Sequence, residues 1–238
     1  MERFYKTVET VPEGGGVALR LDARPAKTPA KRPLILPNPA LGAAIAAEWR
    51  AQGARVEIAT MPLTRLAHTV LDGTAANRGQ VIAEVSAYAE TDLVCHRAAA
   101  PAALVARQAT HWEPLLEWLA ARHGVRPIVT EGVIPLAQPE ATLACLRAVV
   151  AGHDDWALTA LAALTSALGS LVIALAHAEG QIDAEAAWRA SQIDEQFQID
   201  AWGEDAEQAA RRASLRVDIL AASRFLALAR ASGIDEQG

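Results

Sequence analysis

Twenty-one consecutive residues without a formal charge, Trp156–Ala176 (WALTALAALTSALGSLVIALA), constrain this chain more than any other stretch. A span of the bilayer needs about 20 apolar residues, so length alone permits one. Composition argues the other way. Ala, Thr and Ser crowd the run, and its flanks carry Asp154, Asp155 and Glu179 with no basic anchor close by. Small residues recur at Ala162, Ser166, Ser170, Ala174 and Ala178. A face of that kind lets another backbone approach closely. The stretch is expected to be a buried central helix running to Ala178, and the protein is expected not to insert into a membrane.

A chain of 238 residues can bury one good core or two modest ones around such a helix. Net charge is −6 and unevenly placed. Residues 1–80 hold 11 basic and 7 acidic side chains, and the remainder hold 11 basic and 21 acidic. An acidic protein lacks the Lys and Arg that neutralise phosphates, so nucleic acid is not an expected partner. The two cysteines, Cys95 and Cys145, lie far apart and outside any CxxC. They suit a reduced compartment. The opening MERFYKTVETVPEGGG has no apolar signal core and is not an Arg- and Ser-rich transit peptide. A cytoplasmic location is expected.

The periodicity gives an α+β fold: a small mixed domain over residues 1–77 and a larger, mainly helical domain over 78–238. VALRL (Val17–Leu21) and PLILP (Pro33–Pro37) read as strands, with an irregular, turn-rich connection between them. RVEIAT (Arg55–Thr60) reads as a third strand. Asn38-Pro39 opens a helix whose stripe is Leu41, Ile45 and Trp49. Further helices are expected over Met61–Gly73, from Asn77 to Thr91, and over Pro101–Gly124, the last broken by Pro114. Residues 125–138 read as a hairpin-like insertion around Glu131-Gly132. Helices resume over Pro139–Ala151, Ala184–Ala201 and Ala206–Ala231.

The search for chemistry is mostly negative. Six histidines form no HExxH and lie at no ligand spacing from each other or from cysteine, so no metal is expected. PEGGGVAL (Pro12–Leu19) lacks the Lys-Ser/Thr of a P-loop and feeds a strand, which makes it a hairpin turn. LGSLV (Leu168–Val172) resembles GxSxG only in part, and Ser170 reads as a small packing residue. No catalytic residue and no cofactor is expected. The cations Arg20, Arg24, Lys27, Lys31 and Arg32, with one acid, Asp22, among them, form either a solvated hairpin or a face for an acidic partner or a phosphate.

QIDEQFQIDAWGEDAE (Gln192–Glu207) is different. Asp183 can cap the helix leading into it. One seam of that helix runs Ala186, Ala190, Ile193, Phe197, Ala201 and is core-like. Its neighbour runs Trp188, Gln192, Glu195, Ile199, Trp202 and mixes aromatics with a carboxylate, either as transient interfaces do or as an amphipathic helix edge with half-buried tryptophans. Gly203 can stop the helix, and Asp205 can cap the next. Glu195 and Glu204 are left without a folding role.

These residues, with RFYK (Arg3–Lys6), LDARPAKTP (Leu21–Pro29), EWRAQ (Glu48–Gln52), MPLTRLAHT (Met61–Thr69), TDL (Thr91–Leu93), RQATHWEPLLEW (Arg107–Trp118), GSLVIALA (Gly169–Ala176) and FQIDAWG (Phe197–Gly203), occur in one order along the chain. The set resembles the assembly chaperones of the F-type ATP synthase catalytic head that are dedicated to its alpha subunit. That resemblance implies a non-enzymatic, ATP-independent chaperone that holds unassembled alpha subunit and shields its beta-facing surface. The family occurs in mitochondria and alpha-proteobacteria; the lack of a transit peptide departs from its mitochondrial members and favours a bacterial cytoplasmic protein, with eukaryotic relatives in the mitochondrial matrix. It points to Glu204 and Asp205, with Glu195 and Trp202 beside them, as partner-binding residues. Trp49 also matches a family position, and its place on an apolar stripe suggests a folding role. The alternative is an enzyme of unknown reaction with its site in a cleft between the two parts.

Overall fold

The computed structural model describes residues 1–132 and 136–231. The chain has an α+β fold: a small sheet with a helix comes first, and helices dominate thereafter. Two compact units divide it. Of the described residues, the first takes 1–78, 155–160 and 221–231; the second takes those of 79–154 and 161–220.

In the first unit, β1 (Val8–Glu13) and β2 (Gly16–Leu21) form an antiparallel hairpin closed by Gly14 and Gly15. This is the glycine turn expected from PEGGG, although β1 itself gave no strand signal. Two short strands, β3 (Arg24–Pro25) and β4 (Ile35–Leu36), also pair with β2. Helix α1 (Pro39–Arg50) begins at Asn38, whose Oδ1 accepts the Leu41 N–H at 2.9 Å. Leu41, Ile45 and Trp49 are buried as the stripe requires. Gly42 lets α1 lie close on the hairpin, since a Cβ there would stand 2.5 Å from Val17 Cγ2.

RVEIAT is not a strand. Residues Ile58–Thr60 form a short 3₁₀ turn, and only Arg55 bridges, to Glu2. The Gln52 side chain accepts the Glu57 N–H at 2.8 Å and so turns the chain away from a ladder. Helix α2 (Pro62–Thr69) follows, its first N–H groups held by Glu48. Phe225 lies stacked on Trp156 within this unit, with ring centroids 5.9 Å apart.

The second unit contains α3 (Arg78–Ala87), a two-residue parallel pair of β5 (His96–Arg97) and β6 (Thr130–Glu131), α4 (Ala102–His123) and α5 (Glu140–Ala151), α3 starting at the boundary residue Arg78. Pro114 does not break α4, which runs on for 22 residues. Trp112, Leu115, Leu116 and Leu119 are buried on both sides of the proline, and their packing outweighs one lost backbone bond. Of the expected hairpin over 125–138, residues 133–135 lie outside the described residues; Ile128 and Gln138 are joined by two hydrogen bonds of 2.7 and 2.8 Å.

The uncharged run is two helices, α6 (Asp155–Leu168) and α7 (Leu171–Ala178). Gly169 adopts φ +66°, and Ser170 caps α7 by accepting the Ile173 N–H at 3.0 Å. Ser170 is therefore a cap rather than a packing residue. Its hydroxyl also donates to Asp92 at 2.5 Å, and Asp92 accepts the Val172 N–H at 3.0 Å. Seven residues of α7 are buried, and α4 and α8 (Ala184–Ser191) pack against it. Among the described residues no helix is long and apolar enough to cross a membrane.

Candidate functional site

The expected helix over Ala184–Ala201 is also two, α8 and α9 (Ile193–Trp202), parted at Gln192. Asp183 caps α8 as its position suggested, accepting the Ala186 N–H at 2.7 Å. The core seam holds only in part. Ala190 and Ile193 are buried, Ala186 and Phe197 are half-buried, and Ala201 is exposed. Helix α4 holds α9 through polar ties: Gln108 donates to Asp194 at 2.6 Å, and Arg107 pairs with Asp200 at 2.8 Å. Hydrogen bonds from Gln196 and Arg107 hold the Asp200 carboxyl below its ordinary range. Trp112 donates its indole N–H to Ala190 O at 2.7 Å, fixing the end of α8.

Gly203 ends α9 with φ +84°, a conformation open to glycine. Asp205 then caps α10 (Ala206–Arg230) by accepting the Gln208 N–H at 2.8 Å. Both roles follow the sequence reading. The two acids left without a role have partners. Glu204 pairs with Arg212 at 2.9 Å. Glu195 accepts a hydrogen bond from the Gln208 side chain at 3.2 Å. Gln208 thus joins Asp205 and Glu195, and Arg212 lies one turn further along α10.

Arg212 is the residue that sequence reasoning missed. It donates to Gln192, Gln196 and Glu204, and its guanidinium lies 5.7 Å from the Trp188 ring centroid. Its signal was weak but present: two turns past Glu204, on the face of α10 that Gln208 also occupies. The mixed seam is therefore an internal arrangement over Trp188 and Gln192, and it turns outward only at its end. Trp202 is 80% exposed. Of the four expected partner-binding residues, Trp202 is the one whose side chain makes no hydrogen bond or ring contact among the described residues.

Enzymatic groupings gain little here. A pocket of about 250 Å³ beside Arg212 is lined by Arg107, His111, Trp188, Arg189 and glutamines, with no Ser, Cys, Asp or Glu. Burial pushes the Cys95 thiol up to about 12, which leaves it un-ionised and unreactive at neutral pH. Among the described residues no group of three or more His, Cys, Asp or Glu side chains could hold a metal ion.

A protein-family model for the ATP12 chaperone protein matches residues 2–120. The crystal structure of Atp12 from Paracoccus denitrificans is 43% identical, covers 96% of this chain and 98% of its own, and superposes with a TM-score of 0.92. The chain belongs to the ATP12 chaperone family. A point mutant of the Paracoccus Atp12 matches equally well, at 42% identity and a TM-score of 0.92. The mitochondrial protein atp12 of Schizosaccharomyces pombe is 24% identical over 220 residues, covering 87% of this chain and 76% of its own. The ATP12 model ends before α8, so the Trp202–Gly203 turn lies beyond the span it matches.

Proposed function

We propose that this ATP12 family member is a chaperone of ATP synthase assembly that holds the unassembled alpha subunit and shields its beta-facing surface without ATP. Trp202 is the anchor, and Glu195, Glu204 and Asp205 form the acidic rim around it. The observation that carries this reading is an 80% exposed tryptophan beside carboxylates whose positions are fixed from within. A large rigid aromatic surrounded by ordered polar groups is the usual make-up of an interface hot spot. The family name and the Atp12 relatives support the chaperone role, and unpaired subunit surfaces aggregate unless covered. No observation among the described residues favours the enzyme alternative.

The test is co-expression with the ATP synthase alpha subunit of the same cell. A complex should form, aggregation should fall, and Trp202→Ala should weaken the complex while leaving the fold intact. Reversing the charges of Glu204 and Asp205 is a less clean test, because it also removes an ion pair and a helix cap. No complex with the unaltered protein would refute the function; an unaltered complex with Trp202→Ala would move the site.

A further inference from the structure

We propose that a groove in the first unit, lined by Trp49, Phe4, Arg24, Lys27 and Lys31, binds an extended polypeptide segment in which acidic side chains alternate with apolar ones. The site lies in a different unit from the Trp202 turn and does not rest on the chaperone reading.

The groove measures about 620 Å³. Its apolar lining includes Met1 and Phe4, which are 65% and 62% exposed. Phe4, Tyr5 and Trp49 run as an aromatic series with centroids 5.4 and 5.5 Å apart. Arg24, Lys27 and Lys31 supply the charge. None of the three makes an ion pair among the described residues. Their neighbours in sequence are committed: Arg20 pairs with Glu13, and Arg32 donates to Leu71 O. The one acid in the lining is Asp22, and its carboxylate accepts the backbone N–H groups of Lys6 and Thr7 at 2.8–3.1 Å. Three cations therefore line the groove against the single carboxylate of Asp22, which leaves the lining with an excess of positive charge.

These cations stand on a braced loop. Lys27 bridges to Pro33 through the backbone. Asp72 holds the Thr28 hydroxyl at 2.6 Å and the Ala30 N–H at 3.0 Å. The Lys31 N–H closes the turn onto Thr28 O at 2.9 Å, with Lys31 in the left-handed region at φ +67°. Bracing of this kind lowers the ordering cost of binding.

Trp49 forms part of the groove floor. It is 5% exposed and lines the groove, and its buried indole N–H has no hydrogen-bond partner among the described residues. Buried polar groups are ordinarily bonded, as the indole of Trp112 is to Ala190 O. A free inorganic anion would leave the Met1 and Phe4 wall uncovered. A nucleic acid needs a long row of phosphate contacts, and three cations on a chain of net charge −6 do not provide one. A polypeptide satisfies both walls at once.

The test is calorimetric titration of the full chain with a short synthetic peptide of alternating leucine and glutamate. It should bind about tenfold or more tightly than the same peptide with lysine for glutamate. Lys27→Glu combined with Lys31→Glu changes two exposed side chains. It should weaken the acidic peptide about tenfold at an unaltered melting temperature. No heat with the acidic peptide, equal affinity for both peptides, or full affinity in the double lysine variant would overturn the proposal. So would displacement of the peptide by inorganic phosphate at similar concentration, which would assign the site to a free anion.

Discussion

Trp49 and Trp202 sit in stretches that were equally diagnostic in sequence, EWRAQ and FQIDAWG, and the fold treats them oppositely. Trp49 is 5% exposed, its backbone carbonyl accepting the Tyr5 hydroxyl at 2.7 Å. Trp202 is 80% exposed. The difference recurs across the recognisable stretches. TDL and GSLVIALA meet where Asp92 binds Ser170. EWRAQ and MPLTRLAHT meet where Glu48 accepts the Leu63 and Thr64 N–H groups, each at 2.8 Å. Most of what identifies the chain is thus internal bracing. A motif residue is a candidate for partner contact only where the fold leaves it unused.

The sharpest way to break that comparison is Trp49→Arg. A cation on this buried stripe should cost about 3–5 kcal/mol, read as a lower urea midpoint. An unaltered midpoint would make Trp49 a surface residue in practice. Next is Asp92, whose carboxyl burial raises to about 6. The folded state then holds this proton more tightly than the unfolded state does. Its contribution is full below about pH 4 and is lost as the pH rises through about 6, a change of about 3 kcal/mol. The stability of the native protein relative to Asp92→Asn should therefore fall across that window, measured by urea titration at each pH. A gap that is flat or widens with pH would show that Asp92 is not a buried acid.

Arg212→Ala should cost about 1–2 kcal/mol, because Glu204, Gln192 and Gln196 each lose a donor. It should also shift tryptophan fluorescence to the red as Trp188 is uncovered. Trp202→Ala should change stability by less than about 0.5 kcal/mol, the smallest effect of the series, while the loss of binding is the largest. Equal destabilisation by Trp202→Ala and Trp49→Arg would erase the contrast.

Much of the fold was legible from local signals. Asn38, Asp183, Gly203 and Asp205 each end or begin a helix where their chemistry said they would. The errors came where distant partners decide. Pro114 stays helical because buried neighbours on both sides hold α4. The uncharged run divides at Gly169 because Asp92, 78 residues away from Ser170, receives the new helix start. β1 alternates poorly because only Val8 along it is deeply buried. The site was half legible. Its aromatic and acidic content could be read, but the assignment of Glu195 and Glu204 to Gln208 and Arg212 depends on how α10 lies against α9.

Asn38 has a consequence for how the protein is made. Its Oδ1 caps α1, while its amide nitrogen donates to Leu228 O and Ala229 O, each at 2.9 Å. The unit that begins the chain therefore waits for residues about 190 positions downstream. At typical synthesis speeds of about 5–20 residues per second, that delay is roughly 10–40 s. The sheet and α1 emerge from the ribosome early, but the turns of α10 that complete their unit emerge about 190 residues later. Translation through α10, rather than emergence of the sheet and α1, sets the moment at which this unit can be completed.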